Sequence, residues 1–426
     1  MEKDTIKQLI LEYQQFSSQV ELVERNIDLF DAFNYVLVGL RRAGKSYLLY
    51  QQIRKLIRNG HRTEEILYFN FEDDRLEGMT RSDLDLIKTC YEEMFAYRPI
   101  FFMDEIQNVE GWEHFARRLA DQKYRVYITG SNSRMLSLEI AGTLGGRYMV
   151  QRVFPYSFRE YLSAIGVSLP DNWLFAPVKN EVIRLFDTYL RYGGLPELQP
   201  VDVRMRRSWL NNLYNKIFFG DILMRYAVRN SMALKVLVRK LAESVKQPCS
   251  YNRLANIVSS TGTKVRVETI IDYLEYVKES CMIFEVENYA SKISEKLSNK
   301  KYYFTDNGLL NIFLFDPDTS LLENIVAIRL HSLYDDLCFY HNGIEVDFYL
   351  WEHQTAIQVA WSLKDVSTRK RETEALLKLS RHHDVRQMLI ITHDESETIE
   401  DDGQQIHVVP VWQWLLQTEG CVSAEK

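Results

Sequence analysis

The stretch GLRRAGKS, Gly39 to Ser46, follows the apolar run YVLV and fits the spacing G-x-x-x-x-G-K-[S/T]. A loop of this kind can wrap its backbone N–H groups around phosphates, with a lysine for charge and a hydroxyl for a divalent cation. The stretch leaves an expected strand and opens an expected helix, so the positive end of the helix dipole adds to the attraction. Lys45 is therefore assigned to the β- and γ-phosphates and Ser46 to Mg²⁺. Gly39, Leu40, Arg41, Arg42, Ala43, Gly44 and Tyr47 complete the nucleotide-binding stretch. The competing reading is a tight strand-to-helix turn with an incidental lysine.

Asp104 and Glu105 end the apolar run PIFFMDE, with Asp104 59 residues after Lys45. An aspartate at the carboxyl end of a strand can hold Mg²⁺ through water, and a glutamate beside it can act as general base on an attacking water. A strand that merely ends in acids is the plain alternative. The run VYITGSNS ends in Thr129, Ser131 and Asn132, polar groups suited to sense a γ-phosphate or simply to make a turn. Arg134, Arg147 and Arg152 follow. Arg147, after the flexible pair Gly145–Gly146, is the preferred arginine for transition-state charge, in the same chain or from a neighbouring copy of a homo-oligomer. Surface salt bridges are the commoner use of such arginines.

These groups need a scaffold. Apolar, β-rich runs (YVLVG, ILYFNF, PIFFM, RVYITG, RYMVQRVF) alternate with helical patterns such as KSYLLYQQIRKLIRNG and GWEHFARRLADQ. That alternation predicts a parallel sheet covered on both faces, ending near residue 154, after one or two amphipathic helices in residues 1–30. Residues 155–230 read as helical with a break at RYGGLP. Three helical stretches follow from 231, then the strand patterns MIFEVENY and KYYFTD, and from about 302 a mixed pattern to the end. The acidic run HDESETIEDDG, 393–403, reads as a solvated loop.

The 426 residues exceed one core of typical size, so two to four domains are expected. No apolar run approaches the ~20 residues of a membrane helix, and the amino terminus lacks the pattern of a signal peptide. The five cysteines are scattered without C-x-x-C spacing, which predicts reduced thiols and a cytoplasmic location. The net charge is −7, yet residues 225–301 carry 14 Lys and Arg against 8 Asp and Glu, a local +6. A basic middle segment points to an anionic partner or to a solvated helical face.

GLRRAGKS, LYFNFEDDRL, FFMDEIQNVEGWE, ITGSNSRML, GGRYMVQRVFPYSFREYL and RYGGLPE together resemble prokaryotic AAA-type P-loop ATPases of the archaeal-ATPase kind, which carry a C-terminal domain of unknown function. The resemblance is tightest over residues 35–200. It implies an α/β P-loop NTPase sheet of AAA-like type, a winged-helix domain and a C-terminal α/β domain similar to the PD-(D/E)XK nuclease fold. It places Lys45 and Ser46 at phosphate and Mg²⁺, Asp104 and Glu105 at the acidic pair, and Ser131 or Asn132 at the sensor position. The expected division is 1–154 for the ATPase core, 155–230 for a helical lid, 231–301 for the winged helix and 302–426 for the nuclease-like domain.

Within the middle segment, KVRVETIIDYLEYV would be a recognition helix, with Lys264 and Arg266 at its start facing DNA phosphates or bases. The hairpin around SKISEKLSNKK would be a basic wing; a winged helix used only for packing is the alternative. The C-terminal domain departs from the nuclease pattern. Glu345 and Asp347 share one face of IEVDFYL and Glu323 precedes them. On the next strand Gln358 stands where a carboxylate is needed and Ala360 where a lysine is needed, with Lys364 a poor substitute. A nuclease-like fold without cleavage is the expectation. The whole reads as an ATP- and Mg²⁺-binding, slowly hydrolysing switch that contacts DNA through its winged helix and has no membrane partner. An ATP-dependent DNA nuclease and a nucleotide-stabilised interaction scaffold stay open as alternatives.

Overall fold

The computed structural model describes residues 2–136, 138–262, 264–290, 299–401 and 403–421. The chain divides between Phe154 and Pro155 into two compact units.

In the first unit five strands form one sheet in the order β2-β3-β4-β1-β5. They are β1 (Asn34–Val38), β2 (Ile66–Asn70), β3 (Ile100–Asp104), β4 (Val126–Gly130) and β5 (Tyr148–Arg152). Every pairing is parallel. β3 and β4 are buried at each position, as expected of parallel strands covered on both faces. Helix α1 is Lys3–Gln19 and α2 is Lys45–Arg58. Leu48, Leu49, Ile53 and Leu56 of α2 pack on Tyr35, Leu37, Tyr68 and Phe102 of the sheet. Their recurrence about every turn follows the helical period.

Residues 20–33 are not helical, contrary to the expectation of helices through residue 30. The segment is held by specific polar contacts instead. The Arg25 guanidinium donates to the Ala43 carbonyl at 3.1 Å, and Gln51 exchanges hydrogen bonds with the Arg25 backbone at 2.8 and 2.9 Å.

Helices α3 (Arg81–Met94), α4 (Trp112–Asp121) and α5 (Leu138–Leu144) complete the first unit, and the second opens with helices α6 (Phe158–Ala164) and α7 (Val178–Tyr192). Helix α8 (Val203–Lys216) runs into a π-helical stretch, Ile217–Met224. Then come α9 (Ser231–Glu243), β6 (Cys249–Ser250), α10 (Tyr251–Ser259), α11 (Val267–Glu279), β7 (Ile283–Asn288) and β8 (Asn299–Phe304). After α12 (Asn307–Asn311) and α13 (Asp318–Leu333) the chain adds β9 (Leu337–His341), β10 (Glu345–Leu350), β11 (Thr355–Val359), α14 (Val366–Ser380), β12 (Gln387–Thr392), β13 (Glu397–Asp401), β14 (Gln404–Pro410) and α15 (Val411–Cys421).

The strands form a single nine-stranded sheet in the order β13-β14-β12-β11-β10-β9-β7-β8-β6. The expected boundary at residues 301 and 302 falls inside β8, because β7 pairs in parallel with β9 and carries the hairpin into the larger sheet. The acidic run 393–403, expected as a loop, contains β13, an edge strand antiparallel to β14. Its side chains are nearly all exposed, and charge on an edge strand discourages pairing with another chain. The break at RYGGLP is secured by buried Asp306, which accepts from the N–H groups of Gly194 at 2.9 Å, Gly308 at 2.8 Å and Leu309 at 3.2 Å. Burial pushes its carboxyl up to about 6 in spite of those three bonds.

Candidate functional site

The loop 39–44 leaves the carboxyl end of β1 and enters α2 at Lys45. Gly44 is the residue before the helix, with φ at +94°, a left-handed conformation that favours glycine. Gly44 has no side chain with which to cap α2, and the first N–H groups of a helix have no intrahelical partner, which suits them to an anion. Gly39 is required for lack of space. A Cβ there would lie 2.0 Å from the Val153 carbonyl oxygen, so the loop can start beside β5 only without a side chain. Leu40 and Ala43 are buried and offer the loop their backbone. Arg42 adopts φ +64°, and the Arg41 guanidinium pairs with Glu72 at 2.6 Å. Tyr47 is half exposed on the first turn of α2 and meets Tyr50 edge-on.

Lys45 is buried, and its ammonium donates to the carbonyls of Gly39 at 3.1 Å and Leu40 at 3.2 Å. It also pairs with the Glu105 carboxylate at 3.2 Å. Parallel pairing aligns Asn70 with Asp104 and Val38 with Gly130, so all these groups gather at one sheet edge. Asp104 accepts from the hydroxyls of Tyr68 at 2.6 Å, Thr129 and Ser46. Burial and the neighbouring Glu105 charge still raise its carboxyl above the usual range.

Glu105 has φ +53°, a strained value for a side-chain-bearing residue and one common at functional sites. Its backbone N–H donates to Thr129 Oγ1 at 2.9 Å, and its carboxylate accepts from Gln107 Nε2 at 2.5 Å and the Ser131 N–H at 3.1 Å. Burial alone would raise its carboxyl. The Lys45 charge, these two hydrogen bonds and the Arg41 charge outweigh that and hold it down to about 2.

The structure thus brings together Lys45, Ser46, Asp104, Glu105 and Ser131. Asn132 is buried next to them, but its side-chain oxygen accepts from the Arg134 N–H at 2.7 Å within its own turn. Arg147 is not brought to this edge. It precedes β5, whose first residue pairs with Asn34 at the amino end of β1, and it binds Asp121 at 2.5 Å. The flexibility of the glycine pair was a poor guide, because the direction of a parallel strand decides which edge its flanks reach. Arg152, at the other end of β5, is the arginine that lies beside Val38. Gln107, Tyr68 and Arg25 were missed. Only Gln107 left a sequence signal, two residues past Glu105 in the turn that ends the acidic strand.

Asp104 and Ser46 supply hard oxygen donors of the kind Mg²⁺ prefers, and the uncapped helix with a buried ammonium suits a polyphosphate. The residues present fit both groups.

In the second unit Lys264 and Arg266 are exposed just before α11. The exposed positions of α11 itself include Glu268, Asp272 and Glu275, spaced along one side of the helix. Residues 291–298 of the expected wing lie outside the described residues. Its remaining lysines are not available to a phosphate. Lys300 is buried against Glu285 at 2.6 Å and Glu287 at 3.2 Å, and Lys301 is fully buried. Lys364 is exposed after β11.

A family profile described as an AAA domain matches residues 33–162, and a domain of unknown function matches 183–319. An uncharacterized protein of Methanocaldococcus jannaschii is 30% identical over 431 residues, covering 97% of this chain and 96% of that protein. One from Haemophilus influenzae is 30% identical over 395 residues, covering 90% and 94% respectively. Among solved structures, the Walker-type ATPase of Pyrococcus abyssi is 14% identical with a TM-score of 0.42, over 73% of this chain and 95% of that one. The chain belongs to the archaeal-ATPase-like family of AAA-type P-loop proteins.

Proposed function

We propose that the protein binds ATP with Mg²⁺ at the loop 39–46 and hydrolyses it slowly, as a switch whose nucleotide state governs what its second unit binds. The observation that carries this reading is the pairing of buried Lys45 with Glu105 at the carboxyl edge of the sheet. Lys45 is held by two carbonyls and one carboxylate, all of which a phosphate can replace. As Lys45 turns to phosphate, Glu105 loses the largest influence that lowers its basicity and keeps the burial that raises it. Glu105 then becomes a usable base for water only when nucleotide is present, with Gln107 and the Ser131 N–H holding its orientation. Ser46 and Asp104 would hold Mg²⁺, which supplies charge neutralisation on the phosphates.

For the second unit, the order helix, short strand, two helices and hairpin over 231–304 supports a winged helix. The acidic face of α11 would repel phosphates in a major groove, so DNA contact reduces to a weak, salt-sensitive one through Lys264 and Arg266. The nuclease alternative is disfavoured by Gln358, whose amide is engaged with the Asp347 N–H at 2.8 Å and the Glu345 carbonyl at 3.0 Å.

Steady-state phosphate release and ATP binding by Glu105→Gln test the proposal. Binding is expected to persist while turnover falls on the order of 10²-fold or more. Unchanged turnover would remove Glu105 as the base. ATP binding without any turnover in the unmodified protein would favour the scaffold reading.

A further inference from the structure

The acidic residues at the centre of the nine-stranded sheet surround a lysine. Lys301 Nζ lies 3.2 Å from Glu345 Oε1, 3.4 Å from Asp347 Oδ1 and 3.5 Å from Glu323 Oε1. Its fourth side faces the Phe339 ring at 5.4 Å from the centroid. The side chain is fully buried. Neighbouring side chains on a strand point to opposite faces, so Lys300 serves Glu285 and Glu287 while Lys301 enters the core.

The surrounding groups are committed too. Glu323 accepts from the Tyr303 hydroxyl at 2.8 Å, and Asp347 accepts from the Val359 N–H at 2.9 Å with its second oxygen. The register of β10 on β9 shifts between Val346 and Tyr349, the stretch that contains Asp347. Glu372 of α14 is buried close by and is paired with Arg371 at 2.5 Å.

We propose that Lys301 is a built-in cation occupying the place a divalent metal would take between Glu323, Glu345 and Asp347, so that the cluster is a metal-independent clamp binding hairpin β7–β8 to α13 and β10. The distances favour this over a metal site. Mg²⁺ or Mn²⁺ needs oxygens at roughly 2.0–2.2 Å, so the carboxylates would have to close in by about 1 Å on a point already held by an ammonium. Gln358 spends its carbonyl oxygen on the Asp347 N–H and cannot serve as the missing ligand. Among the described residues no group of three or more His, Cys, Asp or Glu side chains is arranged to hold a metal ion. A lone buried ammonium would be strongly disfavoured, and three carboxylates and a ring together make it tolerable. The lysine reaches the cluster from a different strand than Gln358 and Ala360 occupy. Its position at the centre of the carboxylates is that of a counter-ion.

The test uses the full chain without nucleotide. Mn²⁺ binding is followed by electron paramagnetic resonance, and thermal unfolding is recorded with Mn²⁺ or with EDTA, for the unmodified protein, Asp347→Ala and Lys301→Met. The unmodified protein is expected to show no Mn²⁺ binding that depends on Asp347 and the same midpoint in EDTA. Lys301→Met is expected to unfold roughly 10 °C lower, because three carboxylates lose their partner. Added Mn²⁺ should recover part of that shift. Mn²⁺ binding by the unmodified protein that Asp347→Ala abolishes would overturn the proposal. Mn²⁺-dependent nicking of plasmid DNA lost in the same variant would also do so. These two measurements decide the matter even if Lys301→Met fails to fold.

Discussion

Each unit buries a lysine against carboxylates, and the two arrangements have opposite consequences. Lys45 stands where a loop becomes a helix and is held by two backbone carbonyls and the single carboxylate of Glu105. On the proposed reading each of those contacts is exchanged for a phosphate oxygen. Lys301 stands within a strand between three carboxylates and a ring, with no loop to release it. The same ion pairing is exchangeable at the end of an element and permanent in the middle of one. What differs is the number of partners and the freedom of the backbone, since the chemistry of the ammonium is the same.

Lys45→Ala should break the contrast most sharply. ATP affinity is expected to fall on the order of 10³-fold, because a charge and several charge-assisted hydrogen bonds are lost, while the second unit stays intact. Fluorescence titration with a labelled ATP analogue checks this, and unchanged affinity would end the phosphate assignment. Next in size is the response to pH, where the two units should move in opposite directions. Burial raises Asp306 to about 6 and Glu323 to about 7, above their unfolded values of 3.8 and 4.5. Their contributions are fully present below about pH 4 and are lost as pH rises through 6 and 7. Each is worth a few kcal/mol.

Glu105, held down to about 2 despite burial, contributes stability present above pH 4.5 and lost as pH falls through 2. Denaturant unfolding of the unmodified protein from pH 2 to 8 should therefore show, above pH 4, a decline that Asp306→Asn and Glu323→Gln flatten. Glu105→Gln should flatten only the acid limb. A smaller effect is expected of Gln107→Ala, which removes one of the two hydrogen bonds that orient Glu105 and should slow turnover about tenfold with ATP binding unchanged. Smallest is Arg147→Ala, within twofold on turnover, since its partner is Asp121 at the far edge of the sheet. A larger loss that also grows with protein concentration would assign Arg147 to a neighbouring copy.

The five strands of the first unit lie where the apolar runs placed them, because parallel strands buried on both faces leave continuous hydrophobic stretches in the chain. Other features left weaker traces. Strand β13 looked like a loop because an exposed edge strand carries no burial signal in its sequence. Residues 20–30 looked helical from their amphipathic pattern, yet they form no helix, and the Arg25 guanidinium is held on the Ala43 carbonyl instead. The basic charge of residues 225–301 suggested a wing facing phosphates, but charge counted along a chain does not reveal which lysines turn inward. Lys300 and Lys301 are both buried against carboxylates, on opposite faces of β8.

By itself the sequence determined the loop 39–46 between a strand and a helix, the acidic pair at the end of β3 and the sheet beneath them. A loop that wraps a phosphate must be nearly contiguous, and an acid at the end of a buried strand follows directly from the strand. Tertiary structure alone decided which arginine reaches the site edge, because strand direction and pairing place Arg152 beside Val38 and Arg147 at the opposite end. It alone decided the fate of the second acidic cluster. Lys301 lies 22 residues before Glu323 and 46 before Asp347 in the chain. Only the joining of β7 to β9, together with the alternation of side chains along β8, carries that ammonium among the carboxylates.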